Sequence, residues 1–560
     1  MDPDRRTPSP VWTSAPALTF PIVAVGYALL VCPSLYWLDS GELAGASFEL
    51  GVSHAPGHPL AMLLGKLFCF LPIGDVALRV GLAQALCGAG AAAVVAWLGS
   101  RVAGHFVSDG GARRGLGTFA GLLYAASYAA LFQAIRPEVY ALSAFLTLLT
   151  LAMCVRFTET GAPRHLAVAG LTFGLGLANH HYLTIVGAAP ASLVLLLAGR
   201  PRPELRRGLA GAALAGGAAL LLYLYLPLRA AHDPIFDWGH PTTPSSLWWT
   251  ISAQAFRRNL GAPHHGDWPL VAAALLEQLT PLAPLVAGAG VYLCARRSPR
   301  LGAALLVACA APVAARMLIS FDPGNPDAYG YLSTGIAAFA LLCVPLPAAL
   351  LAGAPVALRV PATAVLCALA IVHGAITARG ASLVRFAATR PIYEGLVAEV
   401  PTGAVLVPAY YQTTFALDYL RVVEGLRPDL SYLPRHTLDH PGRIAALVRR
   451  DPRLAPLLDG ARLSIDGLLA SGRPALVEYD VDLDRRLVSR AFVVRVDGDA
   501  GELQTHRFAA WEAFLRLHQL CRMDAPGPDL AHADALARRL SGGGDLLDDL
   551  RARCRDLAGQ

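Results

Sequence analysis

The sequence predicts a polytopic membrane protein in two parts: an all-α membrane domain over residues 1–380 and a small α/β domain over 381–560. Of the 560 residues, 55% are hydrophobic and only 15% are charged, whereas soluble domains carry about 25% charged residues. The mean hydropathy is +0.48. The charge is also uneven, because residues 15–380 contain few acids and residues 381–560 have the composition of a soluble domain.

A membrane-spanning helix needs about 20 apolar residues, and about 11 stretches approach this length. We place the spans at 15–36, 80–104, 116–135, 137–155, 166–181, 183–198, 208–227, 269–294, 301–320, 329–351 and 361–378. The apolar stretch 58–72 is too short to span and ends in Leu71-Pro72-Ile73-Gly74. We therefore interpret it as an interfacial or re-entrant helix.

Arginines in the loops predict the orientation, because cytoplasmic loops are rich in Lys and Arg. Arg5 and Arg6 place the N-terminus in the cytoplasm, and every second loop is rich in arginine. An odd number of spans then puts residues 379–560 outside the cell's inner (plasma) membrane. These loops account for the net charge of +6, so the charge is no indication of nucleic-acid binding.

The loops on the predicted outer side carry the polar candidates for a functional site. Their gathering on one face of the bilayer indicates a polar cavity at the outer surface, since ionisable groups at a membrane are costly without a use or a partner. The candidates are Asp39, Glu42, His54, His58, Arg136, Glu138, Asn179, His180, Asp237, His240, Arg257 and Arg258.

Asp39 follows the first span directly, and a short helix over 39–51 would place Glu42 on the same face. One interpretation is a general base that takes a proton from an acceptor hydroxyl. The other is a helix cap, with Glu42 completing a capping box. The spacing alone does not choose between them.

His54 and His58 are four residues apart, which would suit a metal if both were on one helix. Pro56 and Gly57 favour a loop instead, and that loop could hold a metal or a phosphate, or simply form a rigid turn. A divalent metal stays an open alternative, and no metal ligand is assigned.

Arg136-Pro137-Glu138 opens a predicted span, where proline and an anion are both favourable in the first helical turn. Glu138 could also be a second acid of the cavity. Asn179 and His180 end another span, where capping and substrate contact are equal alternatives.

The loop from Asp237 and His240 to Arg257 and Arg258 mixes aromatic and cationic residues. Trp side chains are common at membrane interfaces. The two arginines could hold a lipid phosphate through charge-assisted hydrogen bonds, or contact ordinary anionic headgroups.

The C-terminal part alternates two kinds of segment, which predicts a small α/β domain. We expect strands at 404–407, 474–479 and 492–496 and amphipathic helices at 412–425 and 506–522.

Several blocks of the chain share their order and spacing with one known family. They are Leu38-Asp39-Ser40-Gly41-Glu42, the run Leu50 to Leu60 with His54-Ala55-Pro56-Gly57-His58-Pro59, Arg79-Val80, Arg136-Pro137-Glu138-Val139-Tyr140-Ala141-Leu142, Gly176-Leu177-Ala178-Asn179-His180, Asp237-Trp238-Gly239-His240-Pro241 and Gly425-Leu426-Arg427-Pro428-Asp429. On these blocks the chain resembles the membrane protein O-mannosyltransferases of the transmembrane protein 260 type. His58 stands where that family usually has tyrosine, and His181 departs from its pattern after Asn179-His180.

The resemblance implies a GT-C glycosyltransferase fold and transfer of a sugar, in the animal branch mannose, from a polyprenyl-phosphate carrier with inversion. The acceptor would be a hydroxyl of an extracytoplasmic protein or envelope glycan. Asp39 would be the base, with Glu42 and Glu138 as nearby acids.

Two other functions remain alternatives. A membrane transporter also has polar groups at the ends of broken helices, but transporters often contain internal repeats, and no repeat is evident here. A non-catalytic envelope assembly protein would use the C-terminal domain as its working part.

Overall fold

The computed structural model describes residues 15–197, 202–259, 267–319, 321, 325–386, 389–478 and 493–495. Most of this part of the chain is helical. The α-helices are α1 Ala15–Ala28, α2 Ser40–Glu49, α3 Pro59–Cys69, α4 Val76–Ala103, α5 Gly110–Ala125, α6 Tyr128–Ala134, α7 Tyr140–Thr160, α8 Pro163–Leu196, α9 Arg202–Leu220, α10 Tyr225–Ala230, α11 Pro244–Ile251, α12 Asp267–Glu277, α13 Ala283–Arg297, α14 Pro299–Arg316, α15 Asp327–Gly330, α16 Ser333–Leu342, α17 Pro345–Gly353, α18 Val356–Ala381, α19 Thr389–Glu399, α20 Tyr411–Glu424, α21 Arg443–Arg450 and α22 Ile465–Ala470.

Shorter elements complete the description. The 3₁₀ helices are Leu221–Leu224, Gln254–Asn259, Arg435–Thr437 and Pro452–Leu457. The strands are β1 Val405–Val407, β2 Ser431–Tyr432, β3 Leu458–Asp459, β4 Arg462–Leu463, β5 Ala475–Glu478 and β6 Val493–Arg495.

Six helices in the described ranges are long and apolar enough to cross a membrane, or seven if the bent pair α5 and α6 is one span. α1, α3 and residues 268–277 of α12 are shorter apolar helices. The multi-pass membrane architecture is confirmed. The number of long unbroken helices is smaller than the predicted count of spans because several spans are short, bent or interrupted.

Two of the interruptions fall inside predicted spans. α5 and α6 meet at an angle of 69°, within the predicted span 116–135. The predicted spans 166–181 and 183–198 lie together on α8, whose backbone leaves the helical region at His180. Apolar length alone cannot reveal such breaks. The stretch 58–72 forms the short helix α3, which is too short to span, as predicted.

The chain divides into two compact units that differ from the predicted domains 1–380 and 381–560. Unit 1 contains Met1–Pro33, His54–Leu226 and Ser252–Phe386, and unit 2 contains Ser34–Ser53, Pro227–Ile251 and Ala387–Gln560. Two segments of the N-terminal part therefore pack with the C-terminal part in one unit.

Unit 2 is built on a mixed sheet with the strand order β2-β1-β5-β6. β1 pairs in parallel with β2 and β5, and β6 is antiparallel to β5. Val405, Val407 and Leu433 lie in a buried core beneath it. The three predicted strands and the helix 412–425 correspond to β1, β5, β6 and α20. The predicted helix 506–522 lies outside the described residues.

Candidate functional site

α2 carries Asp39 and Glu42 and packs closely on α20 within unit 2. A Cβ on Gly41 would lie 3.0 Å from the backbone oxygen of Phe415, and one on Gly45 would lie 2.3 Å from the ring of Phe236. The glycines one helical turn apart therefore allow α2 to approach both neighbours.

Asp39 occupies the N-cap position of α2, but its side chain makes no capping hydrogen bond. It is half-buried, whereas Glu42 is only 2% exposed. The capping-box interpretation therefore fails for Asp39, because a capping side chain must accept from the first backbone N–H groups.

Tyr411, at the start of α20, interacts electrostatically with the carboxylates of Asp39 and Glu42. Burial raises the pKa of the Tyr411 phenol to about 12, with further contributions from the negative charges of Asp439, Glu42 and Asp39. The phenol is thus neutral at physiological pH and lies in the electrostatic reach of the two acids.

The end of α2 fixes the loop that contains Asp237. The Glu49 carboxylate accepts hydrogen bonds from the backbone N–H groups of Ile235 and Phe236. Val52 donates to the carbonyl oxygen of Phe236 at 2.8 Å, and its own carbonyl accepts from Trp238 at 3.1 Å. These contacts bring the end of α2 and Val52 next to the segment Asp237-Trp238-Gly239.

Asp237 lies at the centre of a small charged cluster. His240 Nδ1 is 2.7 Å from Asp237 Oδ2, and Arg449 on α21 donates to both carboxylate oxygens of Asp233, at 2.7 and 3.1 Å. Arg449 also lies 3.1 Å from His240 Nε2.

The same cluster is the one group of possible metal ligands in the described part of the chain, since ligand atoms of Asp233, Asp237 and His240 lie within 4.8 Å of one another. Two carboxylates and one imidazole suit a divalent ion, and buried Asp237 Oδ1 has no hydrogen-bond partner among the described residues. However, the Arg449 guanidinium already neutralises Asp233. A metal ion fits these three residues only if Arg449 moves away, so no catalytic step is assigned to a metal ion.

In unit 1, Arg136 is completely buried in a network of acidic and polar groups. Its guanidinium donates to Glu138 at 2.6 Å, to Gln133 Oε1 at 2.9 Å and to Asp327. One guanidinium therefore faces two carboxylates, and Arg136 and Glu138 are engaged with each other.

A group of histidines lies next to the break in α8. The Nδ1–H of His58, which is 0% exposed, donates to the carbonyl oxygen of Asn179. His58 Nε2 lies 3.4 Å from His54 Nε2, and the rings of His58 and His180 are 5.5 Å apart. The structure thus brings these four predicted residues of unit 1 together.

Asn179 also connects α8 to α7, because its amide donates to Val139 at 3.0 Å and to Ser143 at 2.7 Å. Its Oδ1, and the Nδ1 atoms of His180 and His181, are buried without a hydrogen-bond partner in the described ranges. Buried polar atoms are normally paired, so these three atoms mark a place where a polar ligand could bind.

Arg316, at the end of α14, is a functional candidate that the sequence reasoning missed. It is 8% exposed and stacks on Tyr331 and Phe321 at 4.9 and 5.9 Å from the ring centroids. Tyr331 in turn lies 5.8 Å from the ring of His180. Within the described residues, no carboxylate forms an ion pair with Arg316. Its position inside a predicted span was the only available signal.

Arg257 is exposed in the 3₁₀ helix Gln254–Asn259. The side chain of Arg258 lies outside what the structure describes. Sequence reasoning also missed Tyr411 and Arg449, which become functional candidates only through their tertiary contacts.

Residues 39–204 match a family model described as the protein O-mannosyl-transferase TMEM260 N-terminal domain. The match begins at Asp39. It includes every predicted site residue up to His180, whereas Asp237, His240, Arg257 and Arg258 lie beyond it.

The curated mouse protein O-mannosyl-transferase TMEM260 is 34% identical over 230 residues, which are 40% of this chain. The matched region spans about a third of the mouse protein, 32% of its length.

The fold is similar to that of a solved membrane protein, ArnT. ArnT from Cupriavidus metallidurans bound to undecaprenyl phosphate superposes with a TM-score of 0.53 at 14% identity, covering 86% of this chain and 96% of ArnT. The apo form of ArnT gives 0.54 at 13% identity over 87% and 99% of the two chains. The fold class inferred from the sequence is therefore confirmed.

Proposed function

We propose that the protein is an integral membrane glycosyltransferase that transfers a sugar from a polyprenyl-phosphate carrier to a hydroxyl of an extracytoplasmic acceptor. The similarity to a protein O-mannosyl-transferase and the ArnT-like fold support this reaction class. The undecaprenyl phosphate bound to ArnT supports a polyprenyl carrier as the donor.

The observation that carries the proposal is the environment of Asp39. Its carboxylate sits at the N-cap of α2 without capping the helix, and it is half-buried. A carboxylate that does not cap its helix and is accessible to an acceptor hydroxyl meets the requirements of a general base. Tyr411 lies within electrostatic reach of both Asp39 and Glu42, so we assign Tyr411 and Glu42 positioning roles around the Asp39 carboxylate.

The proposed chemistry is a single displacement with inversion. The acceptor oxygen attacks the anomeric carbon and its proton passes to the Asp39 carboxylate. The bond from that carbon to the phosphate oxygen breaks, and polyprenyl phosphate leaves with the electron pair. A correctly placed general base accelerates such a step by about 10²–10⁴.

The negative charge of the leaving phosphate needs a cation to stabilise it, and we propose Arg316 of unit 1 for this role. Arg136 was the sequence candidate, but Glu138 and Asp327 already take up its charge. Arg316 is equally enclosed and has no such ion pair among the described residues. We therefore propose that Arg136 and Glu138 support the fold of unit 1, whereas Arg316 contacts the phosphate of the donor. Arg257 and Arg258 remain candidates for lipid headgroups.

The histidine group supplies the proposed sugar contacts. Asn179 Oδ1 and His180 Nδ1 are buried and unsatisfied, and sugar hydroxyls are well suited to pair with such atoms. His54 and His58 line the same part of unit 1. In unit 2, we propose that Asp237 and His240 contact the acceptor.

Mannose is the sugar that the relative's name favours, and a protein Ser/Thr or an envelope glycan is the proposed acceptor. The test incubates the purified full-length chain with polyprenyl-phosphate mannose, glucose and arabinose in the presence of envelope extract. Mass spectrometry should detect sugar-dependent release of free polyprenyl phosphate and a matching mass increase in the envelope material. Folded protein that releases no carrier from any donor would refute the proposal.

A further inference from the structure

A cleft of about 540 Å³ opens among residues of the C-terminal part of unit 2. Its size falls within the range of small-molecule binding sites. α20, α21 and the 3₁₀ helix Pro452–Leu457 contribute its charged lining. The charged groups are Arg421, Arg443, Arg450, Arg453, Asp418 and Asp451.

Two of the four arginines already have acidic partners. Arg421 donates to Asp418 at 3.1 Å, and Arg453 forms two hydrogen bonds with Asp451 at 2.7 and 3.0 Å. Each pair combines one positive and one negative charge, so the two pairs contribute no excess charge.

Arg443 and Arg450 are different. Arg443 is buried and Arg450 is half-buried, and among the described residues both donate hydrogen bonds to backbone carbonyls. Arg443 reaches the carbonyls of Ile235 and Asp237 at 3.5 and 3.4 Å, and Arg450 reaches those of Asp233 and Pro234. Carbonyl groups satisfy donors but do not neutralise charge, and buried charge is costly unless it is compensated.

Two further observations show that this charge is incompletely compensated. Arg443 is 5% exposed, and its buried Nε has no hydrogen-bond partner among the described residues. Burial, followed by the charge of Arg443, lowers the pKa of Arg450 to about 10. Two acids face Arg450, Asp418 and Glu49. Asp418 already accepts a hydrogen bond from Arg421. The Glu49 carboxylate accepts from the N–H groups of Ile235 and Phe236, and burial raises its pKa.

We propose that this arginine cleft binds the phosphate group of a phosphorylated sugar, with Arg443 and Arg450 at its floor and Arg421 and Arg453 at its rim. Guanidinium groups match phosphate geometry through paired hydrogen bonds. Asp39 does not line the cleft, and this proposal does not depend on the proposed transferase reaction. It would allow the protein to hold a phosphorylated glycan unit.

The test is titration calorimetry on the full-length chain in dodecyl maltoside, a detergent without phosphate. The probes are inorganic phosphate, mannose 1-phosphate, mannose and micellar phosphatidylglycerol, all at equal ionic strength. Mannose 1-phosphate should bind saturably and mannose should not. A chain that binds only phosphatidylglycerol, or binds no phosphate probe above the chloride background, would overturn the proposal.

Two variants give opposite expectations and keep both Arg443 and Arg450. Arg453→Gln should weaken mannose 1-phosphate binding about tenfold, because one charge-assisted contact is lost, and Asp418→Asn should strengthen it by freeing Arg421. Arg462→Gln, an exposed arginine on β4 outside the cleft, is the matched control. Equal affinities for all three variants and the parent would also overturn the proposal, whatever their sugar-transfer activity.

Discussion

Arg136 and Asp327 form a buried ion pair although 191 positions separate them in the chain. Glu138 contacts the same guanidinium, so the pair connects the start of α7 to α15 through one fully buried cation. One cation holds two buried carboxylates, so removing that cation should be costly.

Arg136→Gln should destabilise the protein by about 3–5 kcal/mol, because it leaves buried carboxylates without their cation. Thermal unfolding in detergent, followed by circular dichroism, measures the effect. Arg156→Gln breaks the partly exposed pair with Glu159 and should cost less than about 1 kcal/mol. Equal losses of stability in the two variants would show that the buried Arg136 network stabilises the fold no more than an exposed ion pair does.

Gly45→Ala should destabilise unit 2 by about 1–3 kcal/mol, because the added Cβ overlaps the Phe236 ring. Combining it with Phe236→Leu should recover part of the loss. The control is Gly395→Ala on α19, where a Cβ meets nothing within 4 Å. That change should be neutral or slightly stabilising. A harmless Gly45→Ala would contradict the close packing of α2.

His440 should make the stability of unit 2 sensitive to acid. Burial lowers its pKa to about 4, below the value of about 6.5 in an unfolded chain. The folded state therefore favours neutral His440. Its contribution is fully present above pH 6.5 and is lost as the pH falls towards 4, by at most about 1.4 kcal/mol per pH unit.

Denaturant unfolding of the parent and of His440→Gln at pH 7.5 and 5.0 measures this contribution. The stability difference between the two pH values should be smaller for His440→Gln. His232→Gln, which changes an exposed histidine, should follow the parent. A His440→Gln protein that keeps the parental acid sensitivity would refute the assignment.

Arg316→Gln should raise the KM for the lipid-linked donor by about 10–100-fold, since a charge-assisted hydrogen bond to the phosphate is lost. Arg316→Lys should restore part of the affinity. The exposed Arg257 provides the comparison, because Arg257→Gln should change the donor KM little. If Arg257→Gln raised the donor KM more than Arg316→Gln did, Arg257 and not Arg316 would be the residue that contacts the phosphate.

The sequence located the local features of the site because they depend on neighbouring residues. Apolar length separated the short helix α3 from true spans, and strand-like alternation identified β1 and β5. The Asp39-to-Glu42 spacing indicated a short helix after the first span, which α2 confirms. Helix period and composition are sufficient for these conclusions.

Features that depend on tertiary contacts could not be inferred in the same way. No pattern reveals that Arg136 pairs with Asp327, or that α21 directs Arg443, Arg449 and Arg450 at the loop around Asp237. The grouping of Ser34–Ser53 with the C-terminal part also depends on packing, through the close contact of Gly41 with Phe415. The break at His180 occurs inside an apolar stretch that otherwise predicts continuous helix.

Asp39 is the centre of the functional account, and its substitution by Asn tests it most directly. Single-turnover transfer from a polyprenyl-phosphate sugar is measured for Asp39→Asn and for Asp459→Asn, the same change at an exposed carboxylate of unit 2. We expect Asp39→Asn to slow the chemical step by about 10²–10⁴ while unfolding at the parental temperature, and Asp459→Asn to react normally. A folded Asp39→Asn protein that transfers sugar at the parental rate would contradict the account.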